Sequence, residues 1–219
     1  MEFLEVVKII EDKREELKAS NDYLEVVDYG AGQAEDKRTK EEMQKGVKLN
    51  VPLKEFAKIG VKKEKAFQIY EIFQKRQPKV ILELGTCCGF SSSYMAYFAP
   101  EAKIYTIEGS ENLAKVAREN HKYFCLENIE VLEGRFDLVL PDLLSKIAPI
   151  DFAFIDGHHN KEATLEYFRQ ILPFMARGGV ILFDDISWND SMKEAWREIV
   201  ESKVYQHYKD YSWMGAIWL

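Results

Sequence analysis

From Lys79 to Leu84 the chain is a short, almost wholly apolar run, closed by Gly85 and Gly89, with a helical pattern starting at Phe90. A run that short and that apolar suits a strand buried on both faces, which demands covering layers above and below its sheet. The same unit recurs. Strands are predicted at 103–107, 129–132, 151–155 and 179–183, and helices at 90–98, 111–126, 136–147, 161–175 and 191–201. Strands alternating with helices at this pitch build a doubly wound α/β fold with a mostly parallel sheet. The tail breaks the rhythm. Two aromatic-rich runs, 204–209 and 213–219, are separated only by Asp210, Tyr211 and Ser212. That gap is too short for a crossover helix, so the two are expected as antiparallel neighbours, making a seven-stranded sheet with its last strand antiparallel.

The N-terminal part reads differently. Phe3, Val6, Val7, Ile10 and Leu17 predict an amphipathic helix over 3–19. Residues 23–49 are polar and charged, with Gly30, Gly32 and Gly46, and are expected as loop with a short helix near 40–45. Pro52 starts a further helical piece, and 63–76 another, with Ala66, Phe67, Ile69, Tyr70 and Phe73 on one side. The expected organisation is a helical or lid segment over 1–77 and a ligand-binding domain over 78–219. A second glycine loop, Asp28-Tyr29-Gly30-Ala31-Gly32, fails the context test, because no apolar strand of proper length is read before it and no apolar helix after it. It remains a candidate lid over the site.

Bulk properties narrow the partners. The 219 residues suit one domain with an appended segment, and the net charge is -7 with no run of Lys and Arg unrelieved by acids. A nucleic-acid backbone is therefore not expected as a partner. No apolar stretch reaches the ~18 residues of a membrane helix. The start, Met1-Glu2-Phe3-Leu4-Glu5, is too acidic for a signal peptide. Three cysteines, two of them adjacent, form neither a disulfide framework nor a metal-ligand spacing. The expectation is a soluble, cytoplasmic, thiol-reduced protein acting on a small molecule, with homo-oligomerisation left open.

In a doubly wound sheet, ligands sit outside the carboxyl ends of the strands. Gly85 and Gly89 flank the first such end, where backbone must turn tightly and approach a ligand. The helix starting near Phe90 offers free N–H groups and a positive dipole end, and Ser91 and Ser92 add hydroxyls, a combination that suits a carboxylate. Glu83 can accept from an ammonium or hold the loop. At the second strand end, Glu108 can accept both hydroxyls of a ribose. At the third, Gly134, Arg135 and Phe136 offer a place for a nucleobase, with Phe136 as an apolar cover and Asp137 or a backbone group reading the ring edge. Thr86 and Cys87 in the first turn, Gly109 after Glu108, and Asp156 and His158 at the fourth strand end complete the cofactor-binding candidates. Cys87 and Cys88 are read as small packing residues, not nucleophiles.

The fourth predicted strand ends Asp156-Gly157-His158-His159 and the fifth ends Asp184-Asp185. Adjacent strands thus aim three carboxylates at one mouth. At about 4 Å and an effective dielectric of about 20, each like-charge pair costs roughly 4 kcal/mol, so a trapped proton or a cation is required. Oxygen ligands there suit a hard ion such as Mg²⁺ bound by Asp156, Asp184 and Asp185. His159 is positioned to take a proton from a substrate hydroxyl, with Asp156 beside it. Plainer roles stay open: either Asp184 or Asp185 is a suitable helix cap, and His158 suits a surface loop. His121 and His207 are read as surface residues, and Trp188, Trp196, Trp213 and Trp218 as core, with a substrate-pocket wall as the alternative.

The run Val80 to Ser91 resembles the first motif of catechol O-methyltransferase and its relatives. Ile155-Asp156-Gly157-His158-His159 with Gly178 to Ile186 is similar, more closely, to the metal-dependent sugar O-methyltransferases. The resemblance spans about 78–188 and is specific at three motifs. It implies a Rossmann-like class I fold and an S-adenosylmethionine-dependent transfer of a methyl group to oxygen. By it, Glu83 and Gly85 shape the methionine end, Ser91 binds its carboxylate, Glu108 holds the ribose, and Arg135 and Phe136 neighbour the adenine. Asp156, Asp184 and Asp185 would hold Mg²⁺, and His159 would be the base. Catechol enzymes carry Asn at the position of Asp185 and Lys at that of His159, so these two residues point toward the sugar-type arrangement. Two other classes are weighed. A nicotinamide-dependent oxidoreductase would use Glu108 similarly, but the loop lacks the tighter glycine triplet and the terminal hairpin has no role in that fold. A non-catalytic nucleoside-binding module would not need the acids together with His159.

Overall fold

A computed structural model describes residues 1–32 and 38–219. In chain order the elements are α1 (Phe3–Lys18), β1 (Tyr23–Asp28), α2 (Lys40–Lys45), β2 (Val47–Pro52), α3 (Leu53–Lys58), α4 (Lys63–Lys75), β3 (Val80–Leu84), α5 (Phe90–Phe98) and β4 (Lys103–Glu108). They continue with α6 (Glu111–Tyr123), β5 (Ile129–Glu133), α7 (Phe136–Ile147), β6 (Ile150–Ile155), α8 (Lys161–Ile171), β7 (Met175–Phe183), α9 (Asp190–Ser202), β8 (His207–Asp210) and β9 (Gly215–Trp218). The main sheet has seven strands in the order β5-β4-β3-β6-β7-β9-β8. β9 runs antiparallel to β7 and β8, and the other pairings are parallel. The expected doubly wound α/β sheet with an antiparallel last strand is what forms.

Successive side chains on a strand point to opposite faces, and the central strands use both. Ile81, Phe152, Phe154, Val180 and Leu182 pack on one side with Val6, Ile10, Ile69, Phe73 and Tyr94. Leu82, Leu84, Ala153, Ile155, Ile181 and Phe183 pack on the other with Leu140, Leu144, Phe168, Ile171 and Ile199. Helices α1, α4 and α5 thus share a single core with the sheet. Arg14 of α1 is wholly buried. Its guanidinium donates to the carbonyls of Ala57 (3.0 Å), Ile59 (2.8 Å) and Val61, and lies 4.1 Å from the Phe90 ring centroid. A buried charge is tolerated when its donors are satisfied in this way.

Four local expectations need correction. Residues 23–28 and 47–52 are strands, not loop, paired antiparallel from Tyr23↔Pro52 to Asp28↔Val47. A strand therefore does precede the Asp28–Gly32 loop. Along β1 only Val26 is buried, so no apolar run announces it. Helix α8 stops at Ile171, because Pro173 in the following 3-10 turn cannot continue it, and β7 begins early, at Met175. The first tail strand begins at His207, not Val204, and is an exposed, charged edge, which discourages further pairing. Lastly, Trp196 is buried and Trp218 half-buried, but Trp188 and Trp213 are exposed. Among the described residues no helix is long and apolar enough to cross a membrane.

Candidate functional site

The parallel register sets the carboxyl ends of the strands side by side: Leu84 faces Ile107 and Ile155, Ile155 faces Phe183, and Glu108 faces Glu133. Backbone bonding continues past the strand ends. Gly85 N donates to Ile107 O, Asp156 N to Leu84 O, Asp184 N to Ile155 O, and Gly134 N to Glu108 O, at 2.9–3.0 Å. One row therefore carries Glu133-Gly134, Glu108-Gly109, Gly85, Asp156 and Asp184, with the sheet's change of winding direction at β3.

At the first strand end, Gly85 has φ +99°, and a Cβ there would lie 1.8 Å from Asp156 O. Gly89 is left-handed at φ +76° and is the N-cap of α5, whose start carries no side-chain cap among the described residues. Beneath this loop Glu83 is wholly buried. Its Oε2 accepts from Thr106 Oγ1 at 2.5 Å, and Thr106 Oγ1 lies 2.5 Å from Thr86 Oγ1. Glu83 Oε1 has no hydrogen-bond partner among the described residues. Burial pushes the Glu83 carboxyl up to about 8, against the opposing pull of the Ser91 and Thr106 hydroxyls. Ser92 Oγ donates to Gly89 O and meets His121 Nε2 at 2.9 Å. His121 is thus buried rather than on the surface, and burial lowers its pKa to about 4. A small pocket at this point is walled by Gly85 to Cys88, Phe90, Ser91 and Asp156, with Phe56, Ile59, Gly60 and Val61 opposite. Arg14 anchors the opposite wall through Ile59 and Val61. A larger cavity, about 260 Å³, lies at the other end of the sheet beside Arg76, Asp151 and Arg177, away from the acids.

Glu108 Oε2 accepts from Cys87 N at 2.8 Å, and Oε1 from Ser110 N at 2.9 Å. Burial raises its pKa against these two bonds. Cys88 is buried, and Cys87 lies at the loop with φ +49°. Tyr29, in the loop read as a candidate lid, packs on Gly109: a Cβ there would meet its ring at 2.7 Å. Arg135 sits 5.8 Å from the Tyr29 ring and pairs with Asp137. Ala31 N donates to His158 O at 3.1 Å, so the Tyr29–Ala31 backbone crosses the ends of β4 and β6. Phe136 is buried edge-on against His158 and Tyr167, both at 5.5 Å, and tight under Gly157. His158 Nδ1 meets Tyr167 Oη at 3.0 Å, and burial lowers its pKa to about 4.

Of the three acids expected to hold a metal, Asp156 and Asp185 turn toward His159. His159 Nε2 is 3.3 Å from Asp156 Oδ1 and 3.6 Å from Asp185 Oδ2. Among the described residues, the His, Cys, Asp and Glu ligand atoms that converge are those of Asp156, His159 and Asp185, all within 4.8 Å. Asp184 turns instead toward Lys65, whose Nζ lies 2.5 Å from Asp184 Oδ1 and 3.0 Å from Asp185 Oδ1. Sequence reasoning missed Lys65, a helical lysine whose partners are 119 and 120 positions away. Burial opposes charge on His159, yet its pKa is raised, because Asp156 and Asp185 favour the imidazolium. Burial, with Asp156 and Asp185 adding, pushes Asp184 up to about 7, and Lys65 opposes the rise. Neither acid caps α9, whose N-cap is Asn189. His158 (φ +62°), His159 (φ +46°) and Asp185 (φ +52°) are left-handed non-glycine residues, each costing about 1–2 kcal/mol. The bonds Ala31 N to His158 O and Asn189 Nδ2 to His159 O hold the two histidines there. Strain of this kind concentrates where side-chain aim matters. Exposed Trp188 stands beside His159, ring centroids 6.3 Å apart.

A methyltransferase-domain family model matches residues 82–186. The O-methyltransferase imqG of Aspergillus flavus is 30% identical over 176 residues, 70% of each chain. Catechol O-methyltransferases of Niastella koreensis and Sus scrofa are 33% and 27% identical, over 50% and 52% of this chain and 50% and 64% of theirs. The chain thus spans half to under two thirds of these catechol enzymes. In fold it is similar to the O-methyltransferase of Bacillus cereus solved with S-adenosylhomocysteine (TM-score 0.60, 23% identity, 73% of this chain and 83% of that one). It is also similar to TomG of Streptomyces achromogenes solved with S-adenosylmethionine (TM-score 0.60, 22% identity, 73% and 81%).

Proposed function

The chain belongs to the class I S-adenosylmethionine-dependent O-methyltransferases, and from that membership we propose that it methylates a hydroxyl of a small molecule, with Mg²⁺ assisting. One observation carries the reading. Asp156 joins the two halves of the site, its backbone oxygen against Gly85 and its carboxylate against His159. A cofactor held at the glycine loop therefore lies beside the acids.

The residues fit the cofactor. The unpartnered Glu83 Oε1 suits the methionine ammonium, and the uncapped start of α5 with Ser91 and Ser92 suits its carboxylate. Gly85, Thr86, Cys87 and Gly89 line that end, Glu108 and Gly109 the ribose, and Gly134, Arg135, Phe136 and His158 the adenine. When bound, S-adenosylmethionine supplies a methyl group on a sulfonium.

The acids fit a hard cation as well. Asp156, Asp184 and Asp185 would hold Mg²⁺, and bound metal lowers the pKa of a hydroxyl that touches it. His159 accepts the hydroxyl proton at Nε2, the nitrogen that faces Asp156 and Asp185. Those carboxylates stabilise the imidazolium so formed, consistent with its raised pKa. Asp156 also sets the ring's orientation. Trp188 provides a flat apolar wall for a ring-shaped acceptor. The Tyr29–Ala31 crossing supports a lid role for the N-terminal segment. The free thiols of Cys87, Cys88 and Cys125 suit a reducing, cytoplasmic setting.

The test is turnover of methyl-labelled S-adenosylmethionine with hydroxylated ring acceptors, in Mg²⁺ and in EDTA. Activity should disappear in EDTA and return with Mg²⁺. Full activity in EDTA would remove the metal from the mechanism.

A further inference from the structure

Lys65 lies in the first turn of α4, a helix fixed in place by the buried Ala66, Ile69 and Phe73. Its ammonium touches Asp184 Oδ1 at 2.5 Å and Asp185 Oδ1 at 3.0 Å. The Asp184 side chain is 1% exposed and that of Lys65 23%, so solvent screens the contact little. Three carboxylates at one mouth need positive charge, and here the chain supplies it from its own N-terminal segment.

We propose that Lys65 is the resident counter-cation of this acidic mouth, and that a divalent ion takes hold of Asp184 and Asp185 by displacing its ammonium. The inference rests on the metal reading above. Mg²⁺ binds carboxylate oxygens at about 2.0–2.1 Å. An ammonium in contact with the same oxygens would stand against it as a like charge. Asp156 Oδ1 and the second oxygen of Asp185 already lie together beside His159, while Lys65 holds the other oxygen of Asp185. Lys65 therefore sets how tightly the site takes a divalent ion. It also keeps the acids compatible with folding when no ion is present.

The probe is Mn²⁺ alone, titrated without substrate and followed by its electron paramagnetic resonance signal. Lys65→Met keeps the packing of the stem and removes the charge. Its Mn²⁺ dissociation constant should fall about tenfold or more relative to wild type. Lys65→Arg, which keeps the charge, should stay near wild type. Lys65→Met should also melt lower than wild type without ion and regain the difference with Mn²⁺. If Lys65→Met does not fold alone, Lys65→Gln carries the same titration. Binding by the charge-removed variant that is equal to or weaker than wild type overturns the displacement and leaves the metal reading standing. No Mn²⁺ binding by any of the proteins overturns both.

Discussion

Replacing Gly85 by alanine isolates the close approach on which the site depends. Gly85 is left-handed at φ +99°, and an added Cβ would lie 1.8 Å from Asp156 O and 3.0 Å from Asp156 C. Both are backbone atoms, so no rotamer change relieves the contact; the end of β6 must move. Gly60 is the internal control, with φ +78° and nothing within 4 Å of its added Cβ. Both substitutions incur the left-handed cost of about 1–2 kcal/mol, offset by about 0.4–1 kcal/mol from the stiffer unfolded chain. Gly60→Ala should therefore cost about 1 kcal/mol, or roughly 2–4 °C in Tm for a chain of this size. Gly85→Ala adds an overpacking cost of about 1–3 kcal/mol or more, for a loss of roughly 10 °C. Thermal unfolding followed by circular dichroism compares the two directly. Because Asp156 must shift, Gly85→Ala should also lose stabilisation by S-adenosylhomocysteine, which Gly60→Ala should keep. If Gly85→Ala melts within about 2 °C of Gly60→Ala, the contact between the loop and β6 is not as described.

Two further outcomes follow from the buried ionisable groups. The carboxyls of Glu83 and Asp184 sit at about 8 and about 7 when folded, against ordinary values of 4.5 and 3.8. The folded chain holds their protons between those limits, so their contribution falls as pH rises. Buried, neutral His121 and His158 act in the opposite sense only up to about 6.5, so stability without ligand should fall from about pH 6.5 to about 8. Glu83→Gln removes one share, and its Tm should decline less over that range; parallel profiles would refute the burial assigned to Glu83. His159→Ala should lower turnover by about 10²–10⁴ while leaving S-adenosylhomocysteine affinity intact. Loss of that affinity would mean His159 is not chiefly a base.

What could be read in advance followed the local signals. The strand at 80–84, the turn at Gly85 and the helix at 90–98 each have their own pattern, and a parallel sheet puts successive strand ends in one row. Asp156, Asp184 and Asp185 were therefore visible as neighbours, and so was Glu108. Features that depend on distant packing were not. Strands β1 and β2 hold each other through pairs such as Tyr23↔Pro52, and their one buried residue, Val26, is too little to register as a strand. Lys65 and Arg14 are charged residues on amphipathic helices, where charge reads as a solvated face. Only the fold carries Lys65 to Asp184, or Arg14 to the carbonyls at 57, 59 and 61. His121 misled for the same reason: in a last helical turn it reads as exposed, yet its ring is turned inward against Gly89 and Ser92.

The most direct test of the account is calorimetric titration of the unliganded protein with S-adenosylhomocysteine and, separately, with NAD, repeated on Glu108→Ala. S-adenosylhomocysteine should bind at one site per chain, with marked weakening in Glu108→Ala, and NAD should give no heat. Binding of NAD without S-adenosylhomocysteine would contradict the account.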